Sequence, residues 1–455
     1  MRGGRDLWNM TLARARARVS PAALATTSRS THHRRAMLSY IYGRLVGAAA
    51  PQAIPIEPVE VHRIEAAPEK RPRTLKHLLR ANHTNHAILY HTLRFHNHLP
   101  HILGSAYLLG ASPDQLHTIY DYESRELEPW SDSPAEIVQD DWRDYLGDRR
   151  YQRAYVDFFE DQLVGRRLGT QSWDWTKVVN DYVWGHADAA GPPLGNNLIA
   201  GLGHPLIHLG YAYELDNKEL AIEALAMAAT QYDFMHKYLD DPKYTRPPPG
   251  GAFASTSPLE VLDRARADKR LRGLFDKAKG FDNIELLFDK HEDLALEYWN
   301  AWDVGSDPAR RFEESQEAAT ALLVATVPPG AHSYNFLVVH LLTTSHAVRI
   351  LLPMIPAKFH IPLVRQWWLL TVSTYIAELR PKIDPDYVPW PEGSSQKGWA
   401  YVEDKALNGQ YATDAHFVKA VRAMREAART WGDVHERYLA SAVRFVDDFR
   451  GWTFS

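Results

Sequence analysis

Twenty-two histidines and no cysteine set the chemistry open to this chain. Without thiols there are no disulfides, no thiolate metal sites, no iron–sulfur clusters and no cysteine nucleophile. Imidazole remains, the commonest metal-binding side chain and one that titrates near neutral pH. Three groups of histidines stand out. The first is Phe95-His96-Asn97-His98-Leu99-Pro100-His101, three imidazoles within six residues where an apolar stretch begins. Pro100 suits a first helical turn, where its missing N–H would have no partner, so His98 is expected at the helix mouth and His101 just inside. The second is Gly203-His204-Pro205-Leu206-Ile207-His208, with His204 and His208 one turn apart on one face, a spacing that lets two imidazoles meet one ion. The third is His340-Leu341-Leu342-Thr343-Thr344-Ser345-His346. A six-residue spacing turns those two rings to different faces of a straight helix. One buried histidine is most often a hydrogen-bonded core residue. Three such stretches in a cysteine-free chain point to a shared metal site among His98, His101, His204, His208, His340 and His346. Such a site suits iron, copper, zinc, manganese or nickel.

Other motifs carry less. His186-Ala187-Asp188 and His291-Glu292-Asp293 have the pattern of a two-histidine, one-carboxylate triad, but both lie in polar surroundings and read as solvated surface. Gly201-Leu202-Gly203 starts like a dinucleotide loop, yet it lacks the third glycine and a preceding strand. No Gly-rich phosphate loop, nucleophile elbow or His-Glu-x-x-His string is present. A net charge of −4 gives no field that would attract nucleic acid or an anionic membrane. No apolar run reaches the ~20 residues of a membrane span, which predicts a soluble, cytoplasmic protein.

The elements that must position these histidines are helical. From Leu75 onward apolar residues recur at spacings of three and four, and alternating β-branched runs are scarce. The expected fold is all-α, a large multi-helix domain over residues 74–455. Ser112-Pro113-Asp114-Gln115 reads as a capping box, so Gly110 ends one helix and Ser112 opens the next. Helices are expected at 151–164, 172–184, 197–213 and from Asp216 to about Tyr238. More follow at 283–299, 311–327, 333–352, 362–379, 412–430 and 434–451. Pro247-Pro248-Pro249-Gly250-Gly251 lies in a long loop, a lid or a spacer, and 380–399 forms a second. Residues 49–73 read as an extended arm. Residues 1–48 form an Arg/Ser/Ala-rich extension, disordered or targeting. Within it, residues 1–37 have the make-up of a mitochondrial transit peptide. The alternative is an upstream extension with Met37 as an internal start.

Phe95–Ser112, Gly203–Tyr213, Asn335–Pro353 and Arg380–Asp384 together resemble the questin oxidase-like family of fungal polyketide pathways, over most of the chain from about Thr74. The most specific pieces are His-Asn-His-x-x-His at 96–101 followed by Leu109-Gly110-Ala111-Ser112, the His204–His208 pair, and His340 to Leu352. The resemblance implies an oxygenase that opens or oxidises an anthraquinone-type ring with O2, by C–C cleavage or Baeyer–Villiger-type oxidation. It further implies ferrous iron on histidines, with a carboxylated lysine as a further ligand, which here would be Lys382. Carbamate formation needs a neutral amine and CO2, and burial lowers a lysine pKa towards that state; the plain alternative is a surface lysine paired with Asp384 or Asp386. His416 is a candidate proton donor or orienter, and Asp414 before it could simply cap that helix. Tyr334 is a candidate catalytic residue. Tyr334, Trp367, Trp368 and Trp390 could line a flat apolar pocket, although each alone is more readily explained as core packing. Two other readings stand beside this one. A metal-free, NADPH-dependent Baeyer–Villiger monooxygenase would act on the same substrates, and a non-enzymatic helical scaffold would use its histidines structurally.

Overall fold

The computed structural model describes residues 53–165, 174–185, 194–245, 253–388 and 397–454. The Arg-rich N-terminal extension, the His186–Asp188 string, the Pro247–Gly251 loop and Trp390 lie outside the described residues.

Amphipathic spacing gives an all-α architecture, with sixteen α-helices and two two-stranded pairings among the described residues. In chain order these are α1 (Lys70–Asn85), β1 (Leu89–Tyr90), β2 (Phe95–His96), α2 (Leu99–Leu109), α3 (Pro113–Glu123), α4 (Gln152–Gly165), α5 (Trp175–Tyr182), α6 (Ala200–Leu215) and α7 (Lys218–Thr230). Then come α8 (Lys237–Asp240), α9 (Pro258–Ala267), α10 (Phe281–Ala301), α11 (Pro308–Val324), β3 (Tyr334–Asn335) and α12 (Val338–Leu351). The chain closes with α13 (His360–Ala377), α14 (Trp399–Asn408), α15 (Ala415–Trp431), α16 (Arg437–Asp448) and β4 (Trp452–Thr453). No described helix is long and apolar enough to cross a membrane.

The centre is α12, every residue of which is buried. It packs on α6 and α15, and α2 packs on the same two helices. Burial on all sides goes with a helix that has no solvent-facing polar stripe. Of its polar side chains, Thr343 and Thr344 are bonded locally, Thr344 Oγ1 donating to the His340 carbonyl at 2.6 Å. Residues 53–69 run across the helices without regular structure. They are tied on by Ile54 N–H to His360 Nδ1 at 3.0 Å and by His62 N–H to the Glu214 carbonyl at 2.8 Å.

Several boundaries differ from the periodicity. The helix expected from Ser333 begins at Val338, because Tyr334 and Asn335 pair in parallel with Trp452 and Thr453 at the far end of the chain. The helix expected to reach Tyr238 stops at Thr230. There Gln231 leaves the helical region and its side chain turns to His96. Gly201, Leu202 and Gly203 all have positive φ, so the regular part of α6 starts at His204. These glycines have local reasons. A Cβ on Gly201 would lie 2.1 Å from the Gln231 side-chain oxygen, and one on Gly203 would lie 2.3 Å from Thr344 Cγ2. The backbone there is pressed against two neighbours at once, in a left-handed conformation that suits glycine.

Candidate functional site

Four histidines from four segments meet where α2, α6, α12 and α15 converge. One ring nitrogen from each of His98, His204, His340 and His416 lies within 4.8 Å of all the others. Each segment has a local device that aims its ring.

His98 is the N-cap of α2 and makes no side-chain cap bond. Asn97 does that work. Its Oδ1 accepts from Leu99 N–H at 3.0 Å while its amide donates to Asn82 Oδ1 at 2.9 Å. The preceding β-hairpin is clamped by Gln152, whose amide both accepts from Leu89 N–H and donates to the Leu89 carbonyl. His98 is thereby left free for the site. On α6 the left-handed turn brings the Gly201 carbonyl back to His204, whose Nδ1–H donates to it at 2.5 Å. On α12 the His340 Nδ1–H donates to the Phe336 carbonyl at 2.8 Å. A carbonyl can only accept, so both Nδ1 atoms carry the proton and both Nε2 atoms present lone pairs. On α15 Asp414 caps the helix, accepting from the N–H groups of His416 and Phe417 at 2.9 Å.

The four Nε2 atoms then face one another, with 2.8 Å between His98 and His204 and 3.2 Å between His340 and His416. Metal–imidazole bonds of about 2.1 Å place neighbouring ligand nitrogens about 3 Å apart and opposite ones about 4 Å apart. The observed group fits that spacing. Burial holds all four imidazoles well below their ordinary pKa, with Lys419 reinforcing the effect at His98, His340 and His416, and His96 at His204. They are neutral at pH 7. Neutral imidazole nitrogens, with no thiolate or carboxylate among them, suit a borderline transition-metal cation.

The other expected ligands are placed differently. His101 and His208 sit one layer behind, bonded to each other at 2.7 Å. The i, i+4 spacing did put His204 and His208 on one face. However, about 6 Å of helical rise separates them, and His208 Nε2 is taken by Glu223 Oε2 at 2.7 Å. His346 faces away, as the six-residue spacing from His340 requires, and accepts from Arg422 Nη1 at 3.0 Å. Arg422 is in turn paired with buried Glu214. Lys382 corrects the carbamate expectation. Its ammonium is more than half exposed and paired with Asp384 at 2.6 Å, which raises its pKa. An exposed charged amine neither ligates a buried ion nor adds CO2. Tyr334 is likewise not at the group; its hydroxyl is bonded to Asp448 at 3.1 Å and its ring packs on Phe445 and Phe449. Trp367 and Trp368 are fully buried core residues. Glu292, from the string at 291–293, accepts from the Tyr238 hydroxyl and pairs with Lys237.

Three residues at the site were given no role from the sequence. His96 lies face to face on His204, with ring centres 3.7 Å apart and planes within 4°, and is anchored by the Gln231 amide. Phe336 touches both His416 and His340, at 4.5 and 5.2 Å between ring centres. Lys419 is 1% exposed and its Nζ has no hydrogen-bond partner. Burial lowers its pKa to about 7, against the opposing pull of Asp414 and Glu123. One signal was available for it. His416, Lys419, Arg422 and Glu426 follow a 3-3-4 spacing on α15, a polar stripe that in this helix is buried along its length.

The chain is similar to several known proteins. The Baeyer-Villiger oxidase GME11358 of Pestalotiopsis microspora is 24% identical over 76% of this chain and 79% of its own length. The oxidoreductase AflY of Aspergillus parasiticus is 26% identical over 76% of this chain and 71% of its own. A questin oxidase of Aspergillus terreus is 25% identical over 49% of this chain and 48% of its own. The questin oxidase-like family model matches residues 95–424, which hold all four converging histidines and well over half of the sequence, and the chain belongs to that family.

Proposed function

We propose that the protein is an oxygenase that oxidises a planar aromatic polyketide of the anthraquinone type with O2, by ring cleavage or Baeyer–Villiger-type oxidation. In this reading an iron ion is held by Nε2 of His98, His204, His340 and His416. The observation that carries it is the convergence of four neutral imidazoles, two with Nδ1–H committed to backbone carbonyls, in a family whose relatives bear the names of oxidases. The coarser class, oxidoreductase, follows from that kinship. Zinc has no redox chemistry, so among imidazole-loving metals an oxidase function favours iron or copper. The family resemblance favours iron. When bound, such an ion supplies the activation of O2 that a closed-shell phenol lacks.

The chain's own residues hold and orient. His96 and Gln231 fix the plane of His204, and the Phe336 carbonyl fixes that of His340. Phe336 also touches Phe454, at 4.6 Å between ring centres, and Phe454 is 69% exposed. These rings, with Trp452 at 6.0 Å from His416, form an aromatic path from the surface to the histidines. Offset stacking on such rings suits a flat polyketide. Lys419 meets the requirement for a carbamate better than Lys382. With its pKa lowered to about 7, the neutral fraction of its amine can add CO2, releasing one proton and leaving an anionic oxygen donor.

Oxygen uptake with a hydroxyanthraquinone tests the reading. Uptake that needs iron, stops on chelation and ignores NADPH is the expected result. Uptake that survives chelation and requires NADPH would replace it with the metal-free monooxygenase. No turnover of aromatic polyketides under either condition would overturn the substrate class.

A further inference from the structure

Two of the four converging rings are aimed by a bond to a backbone carbonyl, His204 to that of Gly201 and His340 to that of Phe336. His416 has no such partner. Among the described residues its ring makes one hydrogen bond, from Nε2 to His340 Nε2 at 3.2 Å. Its orientation is otherwise left to contacts with His98 and Phe336, both at 4.5 Å between ring centres, and with Trp452 at 6.0 Å. What holds its backbone is Asp414. One carboxylate oxygen, Oδ1, accepts from the N–H groups of His416 and Phe417 at 2.9 Å. The other, Oδ2, accepts from the indole N–H of Trp452 at 2.8 Å. Both oxygens are thus held, and the outer anchor comes from β4 rather than from α15.

β4 is itself attached to the segment that leads into His340. Tyr334 N–H donates to the Gly451 carbonyl at 3.1 Å, and Phe336 N–H donates to the Thr453 carbonyl at 3.0 Å. The Trp452 ring lies edge-on to Phe336 and to Phe449, at 6.3 and 4.8 Å between centres. One side chain therefore joins the segment of His416 to that of His340. The other two histidines are supported from elsewhere, His98 by Asn97 and His204 by His96 with Gln231.

We propose that Trp452 is a positioning residue for His416. Its indole N–H holds Asp414 Oδ2, so that Oδ1 sets the first turn of α15 and with it the place of the His416 ring opposite His340. The proposal rests on the reading of the four histidines as a metal site. A shielded indole N–H takes some acceptor in any fold; here the acceptor is the carboxylate that caps the helix of a converging histidine. Without that bond the carboxylate is free to turn away from the helix end. The 3.2 Å spacing of His340 and His416 then relaxes, while the 2.8 Å spacing of His98 and His204 stays. Partners one step behind a metal ligand act in this way, by fixing its orientation.

The test uses the full-length protein with 13C-labelled histidines, first free of metal and then titrated with Co2+. Trp452→Phe keeps an aromatic ring and removes the N–H. In the metal-free protein it is expected to move the His416 ring resonance and leave that of His204 in place. It should also weaken Co2+ binding by about tenfold, the size expected for losing an outer partner of a ligand. Asp414→Asn is expected to do the same. Asparagine caps a helix as well as aspartate does, but its one side-chain oxygen is already taken by two backbone N–H groups. The double variant should be no worse than either single one, because both changes cut the same link. An unmoved His416 resonance in Trp452→Phe, equal movement of His204 and His416, or additive losses in the double variant would overturn the proposal. A parent that binds no Co2+ would sink the metal reading, and the metal-free resonances would still decide the role of Trp452.

Discussion

The four converging histidines and His83 are all buried, and they hold their protons in opposite ways. His98, His204, His340 and His416 have one another, backbone carbonyls and Lys419 as neighbours, and burial drives all four to the neutral form. His83 is almost as buried, yet it lies between Glu160 and Glu223, and its pKa rises to about 10. Burial opposes that rise, and the two carboxylates outweigh it. Glu223 correspondingly falls to about 2 against its own burial, through His208 and His83. The difference teaches what decides the role of a buried histidine. A carboxylate neighbour fills the ring with protons and makes it a donor, whereas carbonyl and imidazole neighbours leave a lone pair for a cation.

The largest effect that would sharpen this contrast is on activity. His204→Ala should lower oxygen uptake by more than about 100-fold, since outer partners of a ligand already contribute about 10–100-fold. A smaller loss, measured on folded protein, would place the reaction elsewhere. Next comes stability. Glu223→Ala strips the buried His83 charge of its better-buried partner and should cost about 3–5 kcal/mol in urea unfolding. A cost near zero would mean that His83 is neutral and that the two groups do not differ as described.

A pH series separates the groups by sign. His83 has a raised pKa, so its contribution is complete below 6.5 and fades as pH rises towards about 10. Glu223 has a lowered pKa, so its contribution is complete above 4.5 and fades as pH falls towards about 2. The stability gap between the parent and Glu223→Gln should therefore be widest between pH 4.5 and 6.5. The four-histidine group works in the other sense. Its depressed pKa values mean that the unfolded chain binds more protons, so its contribution declines as pH drops below 6.5. A gap that grew steadily from pH 5 to 10 would contradict the His83 assignment. The smallest expected effect is none. Lys382→Ala should leave both metal content and melting unchanged, because its ion pair lies in water.

The reach of the sequence follows the range of the interactions. Most of the helices, the helix end at Gly110 and the Ser112–Gln115 capping box depend on neighbours within a turn and were legible, whereas the helix Trp399–Asn408 was not. So was the separation of His340 from His346, which is arithmetic on a 3.6-residue repeat. What was not legible depends on partners far along the chain. His208 looked equivalent to His204 until Glu223 claimed its Nε2. His416 joins His98 across more than three hundred residues because α15 packs on α2. Lys419 lies on a charged stripe that on an amphipathic helix normally faces water, and only the packing of α15 buries it. The shortened start of α12 needed β4, the last element of the fold.

The central claim is that four histidines from four segments form one metal site. Elemental analysis of protein purified anaerobically with iron tests it most directly, comparing the parent with His340→Ala and His346→Ala. These two histidines share a helix and complete burial in the core, and differ in which side they face. About one iron per chain in the parent and in His346→Ala, with loss in His340→Ala, is the predicted result. Equal iron in both variants, or none in the parent, would contradict it.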